Sequence, residues 1–409
     1  MSHKTARFDR ATLRAIPSGI WALGFVSMLM DVSSEMIHAL LPVYLMTVMA
    51  TSATTVGVIE GIAESTAAIT KVFSGALSDW IGKRKALTAL GYGLAAVTKP
   101  VFPLATSVGW LIAARFVDRV GKGIRGAPRD ALVADIAPAH LRGASFGLRQ
   151  ALDTVGAFFG PLLAIVLMWS SANEFRFVFW VAVVPAILSL LLVVLAVREP
   201  KRTATLRKVR FPLHSAELAR LGRDYWFVIA IAIVFSLARF SEAFLVLRAR
   251  AVGLPLMLVP LVLVVMNLVY AFGAYPAGVL ADSRGRRSVL TVGLMVLVLA
   301  DLVLAFAPGI AGALSGAALW GLHMAFTQGL LATLVADGAP AELRGTAFGM
   351  FNLLTGGALL AASVVAGRLW DTVGAHGTFL TGAALAILAL LGLFALPAPR
   401  VTGNEVARD

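Results

Sequence analysis

Val133-Ala-Asp-Ile-Ala-Pro-Ala-His-Leu-Arg-Gly-Ala-Ser-Phe-Gly147 returns later in the chain as Val335-Ala-Asp-Gly-Ala-Pro-Ala-Glu-Leu-Arg-Gly-Thr-Ala-Phe-Gly349, and only four positions differ. A second echo has nearly the same offset: Gly75-Ala-Leu-Ser-Asp-Trp-Ile-Gly-Lys-Arg84 against Gly278-Val-Leu-Ala-Asp-Ser-Arg-Gly-Arg-Arg287. Self-similarity at a fixed offset marks a duplicated unit. The chain is therefore read as two half-molecules built alike. Residues kept by both halves point to scaffold, and residues present in one half alone point to function.

What kind of scaffold follows from composition. The 409 residues are 59% hydrophobic and 14% charged, with a mean hydropathy of +0.86, far outside the soluble range. Apolar stretches long enough to cross a bilayer as helix recur throughout. They lie near 18–46, 55–77, 86–105, 108–134, 143–169, 177–197, 225–247, 256–280, 288–307, 311–335, 346–367 and 378–397. The pattern predicts an all-α membrane protein with a first six-helix bundle over 1–197, a linker over 198–224 and a second bundle over 225–409. No extramembrane segment is long enough for a separate catalytic core.

A net charge of +13 raises the question of a nucleic-acid partner, and its distribution argues against one. Basic residues crowd alternate connections: Lys4 to Arg14, Lys83 to Lys85, Arg198 to Arg223 and Arg284 to Arg287. The connections near 50–54, 106–107 and 308–310 carry no charge. That is the positive-inside pattern of a multi-pass protein of the cytoplasmic membrane with both termini cytoplasmic. The first stretch contains Asp31 and Glu35 and is too long for a cleavable signal. With no cysteine, disulfides, thiolate ligands and thiol catalysis are excluded.

The second echo has the form G-x-L-x-D-x-x-G-[RK]-[RK], carried by Gly75, Asp79, Gly82, Lys83 and Arg84, and again by Gly278, Asp282, Gly285, Arg286 and Arg287. Two copies in matching places of a twelve-helix chain resemble the major facilitator superfamily, whose signature lies between helices 2 and 3 and between helices 8 and 9. The resemblance implies two pseudo-symmetric six-helix bundles, helices 1, 4, 7 and 10 around a central cavity, and a cytoplasmic latch built on this signature. Residue chemistry agrees: glycine allows close helix approach and a tight turn, and an aspartate can cap a neighbouring helix. The Pro-Ala-x-Leu-Arg-Gly strings at 138–143 and 340–345 fall where helices 5 and 11 begin. Gly156, Gly160 and Pro161 form part of the motif carried by the family's drug-type proton antiporters, without its following glycine pair. Small residues at this spacing are first of all a helix-packing device.

The halves differ in their intramembrane charges, which are costly in hydrocarbon and usually face a cavity or one another. Asp31, Glu35 and His38 fall within about 60° of one helix face, and Glu60, Glu64 and Lys71 within about 40°. The fourth stretch carries Arg115, Asp118, Arg119, Lys122, Arg125 and Arg129; the fifth carries Arg149 and Asp153. At the repeat offset the second half answers with Ala317, Gly321, Phe351 and Thr355, retaining Arg239, Glu242, His323, Gln328 and Asp301. Helix spacing suggests that Arg149 neutralises Asp153 and that Arg239 neutralises Glu242. Lys71 is expected to snorkel or pair with Glu64, Arg125 to Asp130 to join the latch, and Asp301 to be peripheral.

These residues lead to an expectation of proton-coupled transport of a small organic solute by two bundles rocking about a midplane site. Asp31 and Glu35 are the first candidates for proton carrier, and Glu60 and Glu64 the second. His38, Arg115, Asp118, Arg119, Arg149, Asp153, Arg239 and Glu242 are the candidate cavity residues. The drug-type resemblance favours export by antiport; the arginines keep open uptake of an anion or chelate with protons. His38 with Asp31 and Glu35 offers possible metal ligands, but their single helix and nearby arginines argue against a metal. No cofactor, metal or nucleic acid is expected, and the chain is expected to act as a monomer in the bilayer. A membrane-embedded enzyme would need a compact acid–base or nucleophilic centre, and a channel a symmetric ring of pore-lining groups. Neither matches so lopsided a charge pattern.

Overall fold

A computed structural model of the chain describes residues 14–81, 83–199, 220–328, 331, 334–335, 339 and 343–395. Most of the expected linker therefore lies outside the described residues. The described helices fall into twelve spans: α1 (Ser18–His38 continued by Leu41–Thr47), α2 (Ala53–Ile81), α3 (Arg84–Thr98 continued by Val101–Leu104), α4 (Val108–Ile136), α5 (Arg142–Ser170) and α6 (Phe175–Leu195), then α7 (Arg223–Ala238 continued by Ala243–Ala251), α8 (Leu261–Arg284), α9 (Arg286–Phe306), α10 (Gly309–Thr327), α11 (Arg344–Val373) and α12 (Ala375–Ala395). Helix satisfies every backbone polar group within its own segment, as hydrocarbon demands.

The repeat is visible in these bounds. α5 begins at Arg142 and α11 at Arg344, the same position of the repeated string. At the paired turns, Gly285 has φ +86°, a backbone conformation available to glycine and strained for other residues. Of the described helices, nine are apolar and long enough to span a bilayer on composition alone. The exceptions are α2, α3 and α4, all in the half that holds the charges.

Two expected helices differ from their sequence-based bounds. The stretch 18–46 is broken at Ala39 and Leu40, because the ring of Pro42 clashes with the carbonyl four residues earlier, at His38. The stretch 311–335 stops as a continuous helix at Thr327, where Gln328 turns extended with ψ 122°. α7 is broken as well, across residues 239–242. There the freed Ser241 N–H donates to Ser363 Oγ of α11 at 3.2 Å, and Ser241 Oγ accepts from Ala243 N–H. The broken outer segments of α1 and α7 pack on each other.

The apolar cores tell where the halves meet. Alternating helix direction puts the connections after α2, α4, α6, α8 and α10 on one face, the basic face, and the others on the opposite face. Toward the opposite face a single core includes Tyr44, Phe179, Phe244, Trp320 and Phe379 and draws on both halves. Toward the basic face each half has its own, around Ile20 and Tyr92 in one and Tyr225 and Leu343 in the other. The halves are thus joined at one end and apart at the other.

Candidate functional site

Between the separated ends lies a cavity of about 670 Å³, within the size range of small-molecule sites. α1 contributes Asp31 and Glu35, α2 Glu64 and Lys71, α4 Lys122, Arg125 and Arg129, and α5 Gln150 and Asp153. The second half answers with Glu242 at the break in α7, Asn267 and Tyr270 of α8, and Asn352 of α11. Lys71 and Lys122 are exposed within it. The charged wall belongs almost wholly to the first half.

Behind that wall the sequence-predicted cavity residues are tied to one another. Arg115 donates from Nη2 to Glu60 Oε2 at 2.7 Å, with side chains only 2% and 1% exposed. His38 Nε2 stands 3.6 Å from the same oxygen, while its Nδ1 is 3.3 Å from Glu35 Oε2. A carboxylate–imidazole–carboxylate series therefore runs from the cavity inward to a buried arginine. Arg119 reaches Glu64 at 3.2 Å. Asp118 accepts from Lys99 Nζ at 2.9 Å, and Lys99 also bonds Ser34 Oγ. Arg115, Asp118, Arg119 and Arg149 are buried and, like His38 and Arg239, do not line the cavity. Their expected place around it is corrected to one layer behind: α4 turns Arg115, Asp118 and Arg119 toward α2 and α3, and Arg149 of α5 is drawn to Asp153, Gln150 and Asp130. Glu60 likewise lies behind the lining.

Four further expectations change. Arg149 does bond Asp153, but Arg239 and Glu242 make no ion pair within 4 Å among the described residues, since the break in α7 removes the helical spacing that would align them. Lys71 is not paired with Glu64, which Arg119 has taken, and instead faces the cavity. Arg125 stacks 4.7 Å from the centre of the Tyr92 ring, and Arg129 donates to Ser27 Oγ at 3.0 Å. Those two residues form cavity wall. Asp301 is fully buried, not peripheral, and a β-carbon on Gly382 of α12 would meet its Oδ2 at 2.7 Å.

α5 holds the two acids of α1 in place by close approach. A β-carbon at Gly156 would meet Met28 O at 2.5 Å and Asp31 Cβ at 3.0 Å; at Gly160 it would meet Glu35 Cβ at 2.8 Å. The pair Gly156 and Gly160 thus seats the backbone beneath Asp31 and Glu35. Pro161 is buried inside the same helix.

Around the latch signature, Gly82 and the side chains of Asp79 and Asp282 lie outside the described residues, as do residues 340–342 of the second Pro-Ala-x-Leu-Arg-Gly string. Gly75 packs a would-be β-carbon 3.5 Å from Ala127, whereas Gly278 faces open space. Arg84 bonds Asp135, and Glu199 accepts from the Arg84 N–H at 2.7 Å. Lys83 is exposed. Next to these, Lys85 donates to the carbonyl of Val194 and Arg287 to that of Phe394. Each half therefore uses a basic residue of this turn to satisfy the last carbonyls of its sixth helix.

The polar lining residues Gln150, Asn267, Tyr270 and Asn352 were not among the candidates read from the sequence, and neither was one residue away from the cavity. Asp371, near the end of α11, accepts hydrogen bonds from Ala53 N–H at 3.0 Å and from Thr54 N–H and Oγ1 at 2.8 and 2.6 Å. It caps α2 across the two halves on the opposite face. The expected helix 346–367 left it in a loop; an aspartate within a turn of a helix end was the available signal.

The inner ion pair yields a stability prediction. Removing one member of a buried pair leaves an unpaired charge and costs about 3–5 kcal/mol. Glu60→Ala should therefore lower the thermal midpoint of the purified protein strongly. Glu60→Ala combined with Arg115→Met should recover much of the loss. Equal midpoints for the single and double variants would show that the pair carries no such coupling.

Among the described residues no three His, Asp or Glu side chains are arranged to hold a metal ion. Comparison with known proteins gives concordant results. Residues 23–362 match the profile of the Major Facilitator Superfamily. An uncharacterized MFS-type transporter of Methanocaldococcus jannaschii is 33% identical over 390 residues, covering 93% of this chain and 96% of that protein. The crystal structure of the nucleoside transporter NupG superposes with a TM-score of 0.74 at 12% identity, over 93% of this chain and 99% of that one. That of a D-xylose-proton symporter gives 0.71 at 18%, over 93% and 98%. Identities this low speak to the fold alone.

Proposed function

Because this chain belongs to the Major Facilitator Superfamily, and is thus a membrane transporter rather than an enzyme, we propose that it couples proton movement to the passage of a small organic solute by alternating access. The observation that carries the reading is Asp31. Among the described residues it lines the cavity with neither a hydrogen bond nor an ion pair, and its charged neighbours are Asp153, Lys122, Arg125 and Glu35. Carboxylates in a poorly solvated site favour the neutral acid, and adjacent cations favour the anion. A solute that competes for those cations therefore changes whether Asp31 holds a proton. Glu35, His38 and Glu60 offer the proton a way onward.

By the positive-inside rule the basic face is cytoplasmic, so the cavity faces the cytoplasm and both termini lie on that side of the cytoplasmic membrane. The protein acts as a monomer: one chain supplies both bundles and both walls of the site. Two signs of coupling fit this arrangement. The latch signatures and the Gly156, Gly160, Pro161 motif support efflux in exchange for protons. The cavity cations without carboxylate partners support a second reading, in which an anionic solute and a proton move together.

Proteoliposomes separate the two. With an imposed pH gradient, efflux by exchange drives solute from the neutral to the acidic compartment, and co-transport drives it from the acidic to the neutral one. Solute flux indifferent to a gradient of either sign, and unchanged by uncoupler, would remove the proton from the mechanism.

A further inference from the structure

The ionic groups in and beside the cavity pair off unevenly. Glu64 is held by Arg119, Asp153 by Arg149 and, at 4.0 Å, Arg129, and Glu35 by His38. Among the described residues four cations remain without a carboxylate within 4 Å: Lys71, Lys122, Arg125 and Arg239. Against them stand two acids without a cation, Asp31 and Glu242. Arg239 sits at the break of α7 with Glu64, Glu242 and Tyr270 as its charged or titratable neighbours. Among the described residues no hydrogen bond engages its guanidinium. Arg125 keeps a buried Nη1 that has no partner.

Water screens these charges while the cavity is open. Alternating access requires an occluded state, in which that water is largely expelled. Stripping water from unpaired ions is costly unless counter-charge is supplied. The cations stand on both halves: Lys71, Lys122 and Arg125 line the cavity from α2 and α4, and Arg239 of α7 stands beside the lining residues Glu64, Glu242 and Tyr270. A solute touching both groups neutralises the excess and draws the halves together, which is what occlusion needs.

We propose that the solute is a small organic dianion, a dicarboxylate or a phosphate monoester, held between Lys71 and Lys122 of the first half and Arg239 of the second. The proposal rests on the reading of this cavity as the transport site and selects its second form, since an anion that neutralises Lys122 and Arg125 removes the nearby positive charge that favours the Asp31 anion and so lets Asp31 take up a proton. Glu242 beside Arg239 excludes solutes whose negative charge is spread along that wall.

The test is direct binding to the full chain purified in detergent, with succinate, phthalate and phenyl phosphate as anionic probes and tetraphenylphosphonium as the cationic one. At least one dianion should bind below about 1 mM, more weakly as salt rises. Lys71→Gln, Lys122→Gln and Arg239→Gln should each weaken it about tenfold or more, and Lys122→Arg should stay within about threefold of the parent. The charge-preserving variant and the size-exclusion profile distinguish lost binding from lost fold. Failure of all three dianions to bind at about 10 mM, or binding indifferent to all three glutamine variants, overturns the proposal. Dianion binding without any pH-driven flux supports the proposed solute class while removing proton coupling, so the two readings fail separately.

Discussion

Asp31→Asn is expected to lower pH-driven solute flux by about 100-fold, the scale on which loss of an essential proton-transfer group is felt. Solute counterflow, which needs no net proton movement, should persist in the same variant. The argument rests on the isolation of Asp31. Glu64, Asp153 and Glu35 each have a cationic or imidazole partner, whereas among the described residues Asp31 has neither a hydrogen bond nor an ion pair. Its lack of a fixed partner leaves it free to change protonation without breaking an ion pair. Asparagine keeps the shape above Gly156 and cannot carry the proton. Glu35→Gln should be less severe on binding but should also slow coupled flux, because Glu35 contacts His38, the first step of the buried series. If both variants keep full coupling, the assignment to α1 fails and the acids of α2 take its place.

The fold was legible because lipid leaves few choices. A duplicated string, alternating basic connections and apolar stretches of spanning length allow little besides paired helical bundles. The helix starts at Arg142 and Arg344 follow the repeat. The inventory of charged residues was also legible, since an ionic side chain in an apolar stretch stands out wherever it points. Their partners were not. Periodicity places Glu64 and Lys71 on one face of α2, but which cation Glu64 meets depends on where α4 lies, and Arg119 reaches it first. The spacing of Arg239 and Glu242 implies a pair only on a continuous helix, and no proline marks the break between them. Asp301 looked peripheral from its place near the end of a stretch. Its burial comes from α12, where Gly382 leaves the room that Asp301 fills.

Closing of the opposite face was equally hidden, and it supports the other large prediction. There α2 and α11 approach through glycines: a β-carbon at Gly57 would overlap the Ser363 carbonyl, and one at Gly367 would meet the carbonyl of Ala53 at 2.5 Å. These obstacles are backbone atoms, so no rotamer change relieves them. Gly57→Val must push the helices apart, at a cost of about 1–3 kcal/mol for overpacking. That cost falls on the conformation open to the basic face and leaves its counterpart, in which this seam is parted, untouched. Asp371→Ala acts on the same equilibrium by removing the cap of α2, worth about 1 kcal/mol. The chain has no cysteine, so Ser363→Cys, buried in the seam, reports its opening to an impermeant maleimide added from that side. Labelling should quicken about fivefold with Asp371→Ala and about tenfold or more with Gly57→Val, and the two effects should multiply because both bias one two-state equilibrium. Labelling unchanged in either background would mean that the seam does not set which face is open, and that the charges of the cavity hold the halves in register by themselves.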